Sequence, residues 1–142
     1  MFYNHFDIRE LFSNCADSEI IDCVRNGHIN NLLVLLQVLD SLRDYIDYPI
    51  LINSSFRSEE HNKDVGGVPT SQHLYGSAID FCVPKVPFQT LEFYVREFFQ
   101  KSALERFIGQ VIFYRKRKFI HIGLRTPSHP NLIYLYYEKR TD

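Results

Sequence analysis

A chain of 142 residues, 45% hydrophobic and 15% aromatic, has material for one core and little room for a second domain. A formal net charge of -1 and a pI near 6.6 exclude nucleic-acid binding driven by overall charge. Cys15, Cys23 and Cys82 form no CxxC pair, which argues against a cysteine zinc site and a disulfide framework and suits a reduced cytosolic protein.

The opening stretch "MFYNHFDIRELFSN" has no basic region followed by a long apolar run, so neither a signal peptide nor a transmembrane helix is expected. "DIRELF" predicts a short helix with Asp7 as N-cap and Glu10 at the capping-box position. "DSEIIDCVRNG" predicts a second helix, stopped near Gly27. In "HINNLLVLLQVLDSLRDYI", Ile29, Leu32, Leu33, Leu36, Leu39, Leu42 and Ile46 recur at spacings of three and four, the apolar face of a helix. Leu35 and Val38 widen that stripe, so burial on two sides is expected.

Past Pro49 the pattern changes. "ILIN" reads as a strand, and Ser58 ahead of Glu59 and Glu60 caps a helix of one or two turns. Gly66, Gly67 and Pro69 make a loop, and "SAIDFCV" reads as the next strand. Helical spacing returns through Leu91, Tyr94, Val95, Phe98 and Phe99. "IGQVIFY", "KFIHIGL" and "NLIYLYYE" predict the remaining strands, the first two joined by the basic turn "RKRK". Helices lead and strands follow, so the expectation is a single α+β domain over 1–142, with a helical part over 1–48 and a sheet part over 49–142.

"TSQHLYGSAIDF" places His73 and Asp80 on either side of Gly76, just before an apolar segment. Both are metal ligands when deprotonated, and the glycine permits a turn that would bring them to one point. "FIHIG" adds His121 inside a strand, where alternation turns Ile120 and Ile122 to the opposite face. Each piece has an ordinary alternative: a cap for His73 and Asp80, a hydrogen-bonded strand histidine for His121, a surface ion pair with Glu59 or Glu60 for Arg57. His5, His28, His61 and His129 lie in polar contexts and read as solvent-facing.

"SQHLYGSAIDF" resembles the S-x-H-x-x-G-x-A-x-D motif of the zinc D-alanyl-D-alanine peptidases, the M15 family of peptidoglycan peptidases, through Ser71, His73, Gly76, Ala78 and Asp80. "INSSFRS" is similar to the family's S-G-[YF]-R-S, with Ser55 in place of glycine and Arg57 matching the arginine. Asn62, Gly66 and Gly67 resemble the family's approach to the motif, and "FIHIG" its last histidine strand. The matched blocks span about Ile50 to Gly123, and the whole chain is similar to compact M15 proteins of small bacterial viruses.

The resemblance implies the zinc D-Ala-D-Ala peptidase fold, a small antiparallel sheet with packed helices. It implies a zinc ion held by His73, Asp80 and His121, with water in the fourth position. By the family's pattern Arg57 binds the substrate carboxylate or steadies the oxyanion, and Ser71 orients the loop, bonds His73 or contacts substrate. The implied reaction is hydrolysis of a stem or cross-link peptide bond of peptidoglycan, for wall lysis or remodelling. The expected protein is a monomer that binds peptidoglycan peptides, without nucleic acid or stable membrane association. It would lie in the host cytoplasm before release onto the wall.

The sequence departs from the family where a general base is expected. The positions relatives use for an acid hold Lys118, Gly123 and Gly109, the last beside Gln110. Three outcomes stay open. Glu138 or Glu105 reaches the site; Gln110, Tyr114 or His129 positions the water; or the protein binds zinc and peptidoglycan peptides without cutting them. "RKRK" reads equally as a solvated turn or as a hold on an anionic wall polymer.

Overall fold

In a computed structural model, residues 3–138 are described. Asp7 accepts from Arg9 N, and Glu10 returns to the Asp7 N–H at 2.7 Å, closing the expected capping box. The turn it caps, Ile8–Phe12, winds as a 3₁₀ helix. Helix α1 covers Asp17–Arg25 and α2 covers Ile29–Ile46. Leu32, Leu35, Leu36, Val38, Leu39 and Leu42 of α2 have no exposed surface, so this helix is buried on more than one side. The buried Asp40 on α2 accepts from the backbone N–H groups of Asn4 and His5, fastening the start of the chain to the core.

Strand β1 is Leu51–Ser54, followed by the short helix α3, Glu59–Asp64, whose N–H at His61 is capped by Ser58. A 3₁₀ turn, Gln72–Tyr75, leads into β2, Ala78–Cys82. Helix α4 spans Phe88–Lys101, and β3 (Ile108–Tyr114), β4 (Phe119–Leu124) and β5 (Ile133–Tyr137) complete one sheet in the order β1-β2-β4-β3-β5. The α+β class holds.

The pairings β1–β2, β2–β4 and β3–β4 are antiparallel, whereas β5 runs parallel to β3, so the sheet is mixed rather than wholly antiparallel. The cause is the path of the chain between β4 and β5. It crosses over the start of β3 and returns on the far side, and Gly109 makes the crossing possible. A Cβ built at 109 would sit 2.6 Å from the His129 carbonyl oxygen and 3.0 Å from Arg125 Cα. The ladder is also irregular between Ile108 and Gln110.

Alternation divides the sheet. Ile79, Phe81, Val111, Phe113, Ile120 and Ile122 have no exposed surface and join one cluster with α2 and α4. Asp80, Gln110, Ile112 and His121 point the other way, into an open cleft. Among the described residues no helix is long and apolar enough to cross a membrane.

Candidate metal site

Register alone brings two of the predicted ligands together. Asp80 on β2 is the direct partner of His121 on β4, and Ser54 on β1 faces Asp80 from the other side. The third comes from the 3₁₀ turn, where Ser71 Oγ accepts from the backbone N–H of His73 and Gly76 closes the turn at φ 66°. His73 Nε2 then lies 3.2 Å from Asp80 Oδ2, and His121 Nδ1 lies 2.8 Å from Asp80 Oδ1. The two rings are 5.4 Å apart and nearly perpendicular. One donor atom from each of the three residues falls within 4.8 Å of the others.

The remaining ring nitrogens are occupied. His73 Nδ1 is 2.6 Å from the Ser55 carbonyl oxygen, which can only accept, so the proton sits at Nδ1 and the lone pair at Nε2. His121 Nε2 is 3.2 Å from Gln72 Oε1, which leaves its lone pair at Nδ1. Two imidazole lone pairs and a carboxylate aimed at one point, each imidazole backed by an acceptor, fit a tetrahedral divalent cation with one open position.

Burial by itself would push the Asp80 carboxyl up. When both rings are protonated, hydrogen bonds from His121 and His73, and their charge, outweigh it and hold Asp80 well below the usual carboxylate range; a bound cation would take the place of those ring protons. Arg57 completes the surroundings. Its Nη2 is 3.8 Å from Asp80 Oδ2, its Nε donates to Ser54 Oγ at 3.3 Å and its Nη1 to Asn62 Oδ1 at 3.2 Å. Burial lowers its pKa and Asp80 raises it, and a guanidinium stays charged throughout. Its partners are thus Asp80, Ser54 and Asn62 rather than Glu59 or Glu60.

Several expectations need correction. Of the alternatives for Ser71, the contact seen is the loop-orienting one: it bonds the His73 backbone and not its ring, capping the turn that carries His73. Glu105 is held by Arg125 at 2.8 Å, and Glu138 by Arg115, which also binds Glu92; neither lines the cleft. His28 is half-buried between the rings of Phe56 and Tyr75, and His61 is half-buried with Nδ1 3.0 Å from Glu19. His129 is half-buried and lines the cleft, because the crossing over Gly109 carries it there. The basic run is a hairpin turn, with Arg117 and Lys118 on the cleft side. Gln110 and Tyr114 line the cleft as well.

The cleft has a volume near 760 Å³, and Asp80 is the sole carboxylate among the described residues lining it. Two contributors escaped sequence reasoning. The Ser55 carbonyl carries no side-chain signal, and Gln72 sits next to His73 in sequence but its side chain reaches His121 on another strand.

An α+β sheet whose polar face carries a His–Asp–His cluster in an open cleft presents three side chains that could hold a metal ion. The chain belongs to the peptidase M15 family, whose profile matches residues 4–123. It is also 43% identical over 51 residues to the zinc D-Ala-D-Ala carboxypeptidase of Streptomyces albus G. That match covers 35% of this chain and 20% of the carboxypeptidase, a fifth of the relative's length.

Proposed function

We propose that the protein is a zinc-dependent peptidase that hydrolyses a peptide bond in the stem or cross-link of peptidoglycan, working as a single M15-like unit. The observation that carries this is the convergence of His73 Nε2, Asp80 and His121 Nδ1 with the outer nitrogen of each imidazole already engaged. Family membership supports the reaction type, and the named activity of the Streptomyces relative supports zinc and a D-Ala-containing substrate. Wall opening is the use we read for it.

In this reading His73, Asp80 and His121 hold the zinc ion. When bound, zinc polarises the scissile carbonyl and acidifies water. Arg57, held by Ser54 and Asn62 beside the cluster, receives the substrate carboxylate or the developing oxyanion through its planar fork. Gln110 orients the attacking water from the same face, and the His129 imidazole in the cleft takes up its proton and passes it to the leaving amine as the C–N bond breaks.

One observation favours a second reading, a zinc- and peptidoglycan-binding protein that does not cut. Among the described residues lining the cleft there is no carboxylate beyond the ligand Asp80. Digestion of purified peptidoglycan, with soluble products identified by mass spectrometry, separates the two. Peptide fragments from wild type and none from His73→Ala are expected. Zinc-loaded protein that sediments with peptidoglycan yet releases nothing would replace the peptidase reading with the binding one.

A further inference from the structure

Gln72 stands beside His73 in the turn, yet its side chain crosses to the other ligand histidine. Its Oε1 is 3.2 Å from His121 Nε2. An amide oxygen has no proton to give, so this is a hydrogen bond only when His121 is protonated at Nε2. That tautomer has its lone pair at Nδ1, the atom 2.8 Å from Asp80 Oδ1. The opposite end of the same amide is in a different state. Nε2 of Gln72 is buried with no hydrogen-bond partner among the described residues, an arrangement that costs folding free energy.

Gly123 explains how the amide fits. It lies two residues beyond His121 on the same face of β4, and a Cβ at 123 would overlap both Oε1 and Nε2 of Gln72. The side chain therefore fills the slot that any other residue at 123 would occupy. A side chain held in a tight slot, with a donor left unsatisfied and its acceptor on a ligand, is placed for the ligand and not for the stability of the metal-free fold.

We propose that Gln72 is a positioning residue of the metal centre, which fixes His121 in the Nδ1-ligating tautomer as the Ser55 carbonyl fixes His73 in the Nε2-ligating one. The proposal rests on the zinc reading above. It is tested on the full chain with Gln72→Leu, which keeps similar volume but has no acceptor, and Gln72→Glu, which keeps one. Zinc affinity is measured by competition with a chromogenic chelator, the cobalt(II) absorption spectrum is recorded, and the metal-free melting temperature is taken alongside.

Gln72→Leu is expected to bind zinc about 10–100-fold more weakly, the usual cost of losing an outer hydrogen bond to a ligand. Its cobalt spectrum should shift, while its metal-free melting temperature stays near wild type, because the orphaned amide donor is removed together with the acceptor of His121. Gln72→Glu should recover the affinity. Wild-type affinity in Gln72→Leu would overturn the assignment, and so would a loss that Gln72→Glu fails to recover. Wild-type protein that takes up no zinc would overturn the zinc reading together with this one; the other two results leave that reading intact.

Discussion

The two faces of the sheet are made by the same strands and differ in every physical respect. Toward α2 and α4, Ile79, Phe81, Val111, Phe113, Ile120 and Ile122 are fully buried and apolar. One residue along each strand, the opposite face presents Asp80, Gln110 and His121 to a cleft. The apolar face is what allows the polar one. It fixes the register in which Asp80 meets His121, and a slip of one residue would exchange the two faces. The cost of holding a carboxylate, two imidazoles and a guanidinium close together is borne by a core that does not depend on them.

The largest effect is expected on the apolar face. Phe113 stacks against Tyr134 and Tyr136 and meets Phe88 edge-on, so Phe113→Ala should cost about 3–5 kcal/mol in denaturant unfolding. A loss under about 1 kcal/mol would mean this face is not the main core. Gly109→Ala comes next, at about 1–3 kcal/mol, because its methyl would strike the His129 carbonyl where the chain crosses β3. Unchanged stability there would show that the crossing is looser than described.

A smaller effect is expected where α1 is tied to α3. Glu19 accepts from Ser58 N and from His61, each at 3.0 Å, and from Ala16 N at 3.1 Å. Burial pushes its carboxyl up, but these hydrogen bonds win and hold it below the ordinary value of 4.5. A depressed folded pKa stabilises fully above 4.5, and the contribution fades as pH falls through the lower folded value. Glu19→Gln should thus lose about 1–2 kcal/mol at neutral pH and lie closer to wild type in acid. A stability gap that does not narrow on acidification would rule out that linkage. The smallest effect belongs to the polar face: Gln110→Ala should change stability by no more than about 0.5 kcal/mol, as measured by the same unfolding curves. A larger loss would place Gln110 in the structural framework and not in the cleft chemistry.

Elements with a strong local pattern were legible. The stripe of α2, the caps at Asp7 and Ser58, and the alternation around His121 are properties of neighbouring residues. The grouping of His73, Asp80 and His121 was legible through motif resemblance, since spacing alone leaves each with an ordinary alternative. What could not be read was tertiary. The parallel pairing of β5 depends on a chain crossing that has no signature except a glycine. His129 enters the cleft because of that crossing, and His61 is drawn in by a carboxylate 42 residues away. Gln72 looked like an unmarked position inside the motif, because its partner lies on another strand.

The central claim is that the polar face holds a metal ion through His73, Asp80 and His121. Elemental analysis of zinc-replete protein, for wild type and for His73→Ala, Asp80→Ala and His121→Ala, tests it most directly. A single zinc per wild-type chain, absent from each variant while the far-ultraviolet circular dichroism is unchanged, is the predicted result. Wild-type protein without zinc, or folded variants that retain it, would contradict the account.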